Sequence, residues 1–205
     1  MSTADTPAEP CFWEDRYRNA DTPWDLGNAS PHWGGWLQAH PLPAEAPLRL
    51  LTPGCGRGHD AAYFTALGHA VTGVDFSAQA IAEAAARYGP ATQFLEADLF
   101  SLAISHPELA GAFDGVIEHT CFCALPPERR TDYLLTMHAL LKPGGFIRGV
   151  FWTHQQPGGP PYSVTVDELT RLCEGQFHLE NMWRPAAITP GRGGREWLAA
   201  LHRLP

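Results

Sequence analysis

Hydrophobic residues fall into a repeating order along this chain. An apolar run at 48–52 is followed by helical spacing over 59–67 closed by Gly68, then a second run at 70–74 ending in Asp75. Ser77 is placed to cap a second helix, in which Ile81, Ala84, Ala85 and Tyr88 share one face ahead of Gly89. A third strand is predicted at 93–96 and a buried one at 114–119. A helix is predicted over 127–141, with Leu134, Met137 and Leu141 on one side and Lys142-Pro143-Gly144-Gly145 as its stop. The remainder reads as a strand at 146–152, a Pro/Gly-rich loop at 155–162, a short helix at 166–174 and two strands at 178–183 and 195–201. Strands separated by helices predict an α/β fold: a doubly wound sheet of about seven strands, mainly parallel, with its ligand at the carboxyl ends of the strands where the order reverses.

Ahead of this alternation, residues 1–10 show no periodicity and read as a disordered lead-in, leaving 11–205 as one domain. Residues 11–36 are too aromatic for a linker and too interrupted by Pro23 and Pro31 for one helix. They predict a small N-terminal helical cap that closes over a ligand.

Composition narrows the function. The chain has 205 residues, 44% of them apolar, and a formal charge of -8, which offers no general attraction to nucleic acid. No apolar run is long enough to span a bilayer, so a cytoplasmic protein without membrane contact is expected. The five cysteines are odd in number and lack zinc-ligand spacing, and the ten histidines are scattered, so no metal is expected.

The candidate chemistry starts at Pro53-Gly54-Cys55-Gly56-Arg57-Gly58-His59-Asp60, between the first strand and the first helix. A dinucleotide loop would carry its third glycine at position 59, whereas the spacing here is Gly-x-Gly-x-Gly. That loop suits a nucleoside with an amino-acid tail, S-adenosylmethionine, approaching the backbone at Gly54 and Gly56. Asp75 at the end of the second strand can accept from both ribose hydroxyls, Asp98 beyond the third can accept from the adenine amino group, and His119 at the end of the fourth can line the methionine end.

At these residues the chain resembles the thiopurine S-methyltransferase-like family of S-adenosylmethionine-dependent methyltransferases, in particular its halide- and thiol-methylating branch. The resemblance runs from Trp13 to Arg203 through Thr22-Pro23-Trp24-Asp25, the glycine loop, Phe122-Cys123-Ala124-Leu125-Pro126-Pro127-Glu128, Leu141-Lys142-Pro143-Gly144-Gly145, Gly158-Gly159-Pro160-Pro161-Tyr162 and Gly194-Arg195-Glu196. It implies a Rossmann-like fold and a methyltransferase acting on sulfur or another soft nucleophile of a small molecule. It also implies Trp13, Trp24 and Leu99 as further cofactor contacts. Tyr17 stands where the halide-methylating members tend to have a second cap tryptophan, and Glu118-His119 replaces their Asp-Tyr pair.

Methyl transfer to a soft anion needs alignment in a dry pocket more than a base. Phe12, Trp13, Tyr17, Trp24, Phe122, Trp152 and Tyr162 are candidates for its walls, with Tyr162 expected to hold the acceptor through its hydroxyl. Arg184, Arg192, Arg195 and Arg203 face only Glu196 in the last stretch of chain, so Arg192 and Arg195 are expected to draw in an anionic acceptor. The alternatives within the class are aromatic thiols or selenium and tellurium species, and outside it a non-catalytic sensor of the cofactor. A monomer with a small-molecule acceptor is expected.

Overall fold

The computed structural model describes residues 9–43 and 47–205, so most of the expected lead-in lies outside the described residues. Order begins slightly earlier than the sequence predicts: Pro10 already opens helix α1 (Pro10–Arg18), where its missing N–H costs nothing. Helix α2 (His32–Ala39) follows. The alternation is then β1 (Arg49–Pro53), α3 (His59–Ala66), β2 (Ala70–Asp75), α4 (Ala78–Tyr88), β3 (Gln93–Glu96), α5 (Leu102–Ser105), β4 (Phe113–His119), α6 (Arg130–Leu140), β5 (Leu141–Trp152), α7 (Val166–Cys173), β6 (Phe177–Trp183) and β7 (Glu196–Arg203). Among the described residues no helix is long and apolar enough to cross a membrane.

All seven strands join one sheet in the order β3-β2-β1-β4-β5-β7-β6. The first five run parallel, while β7 lies antiparallel between β5 and β6. The sheet is therefore mixed at one edge. The physical reason is the connection: no helix separates β6 from β7, and a strand that returns without a crossover must pair antiparallel. The order reverses between β1 and β4, which opens a crevice at their carboxyl ends.

Successive strand residues feed two cores, as a sheet covered on both faces requires. Leu51, Val116, Ile147 and Phe151 pack with Leu134, Met137 and Leu169 of α6 and α7. Their neighbours Leu50, Ile117, Phe146 and Val150 pack on the other face with Phe64 of α3 and Trp33 and Trp36 of α2. This places α2 in the core layer, not in the cap: Trp33 and Trp36 stack at 5.5 Å and are almost wholly buried.

Three local features depart from the pattern. Pro127–Arg129 forms a 3-10 turn before α6. The Lys142-to-Gly145 stop is a bulge inside β5, with Phe113 opposite Leu141 and Gly115 opposite Phe146, and Lys142 Nζ ties it to Asp114 at 2.6 Å. A short helical stretch, Leu99–Ser101 leading into α5, follows Asp98.

Gly58 fixes how the glycine loop enters α3. Its φ is +77°, and a Cβ there would lie 2.5 Å from the Phe94 ring and 3.0 Å from Ala84. Gly58→Ala should therefore lower stability by about 2–4 kcal/mol, from the left-handed backbone and the overpacking together. Urea unfolding checks this; a variant as stable as the parent would mean that the loop relaxes freely.

Candidate functional site

The chain leaves β1 through Pro53, Gly54, Cys55 and Gly56 into the crevice. Gly54 and Gly56 hold φ of +53° and +51°; a Cβ on the first would meet Cys121 Sγ at 2.6 Å and on the second Tyr17 Oη at 2.6 Å. Only glycine fits at either point. Asp75, last in β2, locks this turn: Oδ2 accepts from Gly56 N at 2.9 Å and Oδ1 from Ser77 N at 3.0 Å. Burial pushes its carboxyl above the ordinary range, and each oxygen keeps lone-pair capacity for a further donor. Asp98 caps the 3-10 turn through Phe100 N at 3.0 Å, and Leu99 is buried beside it. Thr52 Oγ1 borders the same space, buried and without a hydrogen-bond partner among the described residues.

These residues line a cavity of about 530 Å³. Its roof comes from residues 10–28, with Trp24 edge-on to Trp13 at 5.2 Å and to Tyr17 at 5.9 Å. Burial, with the Asp75 carboxylate nearby, raises the Tyr17 phenol far above its ordinary pKa. The roof is clamped by the glycine loop itself. Arg57 Nη1 donates to Asp25 at 2.6 Å and to Thr22 at 2.7 Å, its Nε reaches Glu83 at 2.5 Å, and His59 Nε2 lies 3.1 Å from Asp25. Burial would raise the Asp25 carboxyl, but His59 and Arg57 hold it well below the carboxylate range.

The far wall is a buried charge network. His119, last in β4, has Nδ1 2.7 Å from Asp60 Oδ2, and Asp60 Oδ1 accepts from Ser30 N at 2.8 Å and Trp33 Nε1 at 2.5 Å. Arg192 Nη1 donates to Glu196 at 2.7 Å and lies 3.2 Å from His119 Nε2, while Nη2 donates to the Trp24 carbonyl at 2.6 Å. His32 Nε2, at 2.8 Å, and the Thr189 hydroxyl complete the Glu196 shell. Burial opposes ionisation of both carboxyls, yet His119 on Asp60, and His119, His32, Thr189 and Arg192 on Glu196, hold both below their ordinary values. Burial would likewise lower His119, but Asp60 and Glu196 push it up to about 9. The 3.2 Å contact with Arg192 is a hydrogen bond only for the neutral ring; when the ring is charged, Nε2 and Glu196 Oε1, 3.9 Å apart, form an ion pair. Two carboxylates against Arg192 leave one negative charge that protonated His119 cancels, so the charged form is favoured.

The structure brings Trp13, Tyr17, Trp24, Gly54, Gly56, Asp75, Asp98, Leu99, His119 and Arg192 around this one cavity. It does not bring Tyr162, Phe122 or Arg195 there. Tyr162 N donates to the Cys123 carbonyl at 2.6 Å and its ring lies over Gly159, so Pro160 and Pro161 face the cavity instead. Phe122 is in the core, 5.3 Å from Tyr133 and 5.5 Å from Phe151, with its N–H on Glu118 at 3.0 Å. Thr120, at φ +60°, turns the chain so that Cys121 and Cys123 face the cavity in its place. Arg195 is exposed, because the loop directs Arg192 inward. Sequence reasoning missed Asp25, Arg57, His59, Asp60, His32 and Glu196. For all but His32 the available signal was position in Thr22-Pro23-Trp24-Asp25, in the loop from Pro53 to Asp60, or in Gly194-Arg195-Glu196; His32 lies in none of these stretches. Among the described residues no three His, Cys, Asp or Glu side chains are grouped to hold a metal ion.

The His119–Asp60 pair sets a pH dependence. A histidine raised from ~6.5 unfolded to about 9 folded contributes stability that is fully present below ~6.5 and lost as pH rises through about 9. Urea unfolding should show this loss between pH 7 and pH 10, ~3 kcal/mol at most, and His119→Gln should abolish it. Parallel curves for the two proteins would contradict the pairing.

The thiopurine S-methyltransferase family matches this chain over residues 8–199. Thiocyanate methyltransferase 1 of Arabidopsis thaliana is 34% identical over 199 residues, covering 94% of this chain and 84% of that protein. Thiopurine S-methyltransferase of Pseudomonas fluorescens is 28% identical over 192 residues, covering 84% and 85%. In structure, 1,6-didemethyltoxoflavin-N1-methyltransferase of Burkholderia thailandensis, with bound S-adenosylhomocysteine, superposes with a TM-score of 0.74 at 25% identity, covering 95% of this chain and 86% of that one. With the glycine loop, Asp75 and the unpartnered Thr52 hydroxyl around a cavity at the reversal point of the sheet, these likenesses agree: the chain belongs to the thiopurine S-methyltransferase family and is an S-adenosylmethionine-dependent methyltransferase.

Proposed function

We propose that the chain methylates the sulfur of a small thiol or thiocyanate, or a comparably soft anion such as a halide, within residues 11–205 acting as a single catalytic unit. The observation that carries this reading is the continuity of the cavity from the cofactor loop to a chamber walled by Trp24, Trp152, Pro160, Pro161 and Pro190. The relatives named as thiocyanate and thiopurine S-methyltransferases support it.

S-adenosylmethionine supplies a methyl group on a cationic sulfur. Gly54 and Gly56 let the amino-acid portion approach the backbone, Asp75 accepts from the ribose, and Asp98 and Leu99 hold the base. Trp13, Tyr17 and Trp24 cover the reacting end and exclude water. Because charge is neutralised toward the transition state, apolar walls favour the step. A soft nucleophile already ionised near neutrality needs no base; a small thiol reacts as its thiolate, its proton having passed to solvent before the transfer. His119 has Nδ1 committed to Asp60 and Nε2 facing Arg192 and Glu196, so it holds the wall in shape and carries no proton from the acceptor. Tyr162, with its ring outside the cavity, shapes the Pro160–Pro161 wall, and Phe122 supports the turn that presents Cys121 and Cys123.

Two outcomes test this. Asp75→Ala should weaken S-adenosylhomocysteine binding roughly ten- to a hundredfold, about 1.5–3 kcal/mol for a charged hydrogen bond; unchanged affinity by calorimetry would remove Asp75 from the cofactor site. A panel of iodide, thiocyanate, bisulfide and aromatic thiols with labelled cofactor should show turnover of the small soft anions. A protein that binds the cofactor but methylates none of them is a sensor or acts on another class of acceptor.

A further inference from the structure

The sequence makes Arg192 a hook for an anionic acceptor, yet its side chain is occupied. We propose that Arg192 is a positioning residue that latches the cap: its guanidinium fastens the Trp24 carbonyl to Glu196, holding the cap aromatics over the reacting end of the cofactor. The proposal rests on the methyl-transfer reading of the cavity for its consequence in turnover, but the latch itself is a matter of geometry.

Three observations carry it. First, the guanidinium bridges two parts of the fold: Nη1 donates to Glu196 at the start of β7, and Nη2 donates to the Trp24 carbonyl in the cap. With Nη1 and Nη2 each bonded to a fixed protein acceptor, the guanidinium is held in place between two segments, a task that its planar fork suits. Second, the loop is shaped for this one side chain. Gly191, Gly193 and Gly194 all have positive φ, at +79°, +59° and +68°, and the turn closes through Arg192 N to Thr189 O at 3.1 Å and Arg195 N to Arg192 O at 3.2 Å. The result turns Arg192 inward, 6% exposed, and leaves Arg195 in solvent. Third, Glu196 is a fixed anchor, 2% exposed and held by His32 and Thr189 as well as by Arg192.

The cap segment from Thr22 to Asp25 is thus held at two points. Arg57 and His59 bind the Asp25 side chain from the cofactor loop, and Arg192 binds the neighbouring Trp24 carbonyl from the acceptor side. Because the second contact is to backbone, no change of the Trp24 side chain removes it. Trp152 lies against the same guanidinium, 5.5 Å from its carbon, so the latch also sets one wall of the acceptor chamber.

Latch and hook differ in what a lysine does. Arg192→Lys keeps the charge but not the fork. A latch predicts that kcat for thiocyanate falls at least tenfold with the acceptor KM within about threefold; a hook predicts that any change falls on the acceptor KM with kcat kept. Glu196→Gln frees the guanidinium, so a hook would lower the thiocyanate KM, whereas a latch lowers kcat. The readout independent of acceptor is limited trypsin cleavage at Arg16 and Arg18. S-adenosylhomocysteine should slow it at least fivefold in the wild type and much less in Arg192→Lys and in Gly193→Ala. In the second of these an exposed loop position is altered and no buried group is lost. Calorimetry on both variants confirms that the ligand is bound.

Should either variant unfold, hydrogen exchange on the wild type carries the same test: amides of residues 24–26 and 190–194 should gain protection together as S-adenosylhomocysteine is added. Full ligand protection in Arg192→Lys, or separate protection of the two segments, overturns the latch. If the wild type turns over no acceptor while its protection depends on Arg192, the acceptor assignment fails and the latch stands.

Discussion

Two carboxylates that face the two ring nitrogens of His119 at the carboxyl end of the sheet, the largely buried Asp60 and the buried Glu196, govern the shape of this site. Taking each out of water costs several kcal/mol, and the cost is offset only where donors are fixed around it. Asp60 draws Trp33 Nε1, Ser30 N and His119 Nδ1 to itself, which joins α2, α3 and β4. Glu196 draws His32, Thr189 and Arg192, which joins α2, the loop before β7, and through Arg192 the cap. Loss of a single partner from such a set would leave an uncompensated buried charge, typically costing 3–5 kcal/mol. The network thereby constrains the relative placement of the cap, α2, α3, β4 and the loop into β7.

The cofactor half is built differently. There the constraint is steric: two glycines with positive φ approach Cys121 and Tyr17 so closely that no side chain fits, and Asp75 pins the turn through backbone N–H groups. Two residues after those glycines have a second task. Arg57 and His59, whose side chains leave the loop, reach across to Asp25 and hold the cap down. One short segment thus both leaves room for the ligand and clamps the roof above it. A third buried carboxyl, Glu118, pushed up to about 7 by burial, accepts from Tyr133 and from Phe122 N and steadies the turn after β4.

Much of this was legible in the chain. Hydrophobic alternation between strand and helix periods placed β1 to β4 within a residue or two, because local backbone preference and burial on both faces agree there. The glycine spacing, Asp75, Asp98 and His119 were found by position alone, since strand ends in a doubly wound sheet converge on one crevice whatever the side chains. Gly194-Arg195-Glu196 was noticed as well, but as a basic loop with an incidental acid.

Sequence by itself determined the fold class and the glycine loop at the end of β1, which follow from periodicity and from the conformational freedom of glycine; of the expected cap, α2 went to the core. Tertiary structure alone decided which side of each element faces the cavity. A single positive φ at Thr120 sends Phe122 to the core and the cysteines inward. The hydrogen bond from Tyr162 N to Cys123 turns that ring away, and three glycines around Arg192 choose it over Arg195. These choices depend on partners more than thirty residues distant, and on where buried charges find donors. Neither is written in local spacing, so the burial of Arg192 and Glu196 becomes visible only when the cap, β4 and β7 meet.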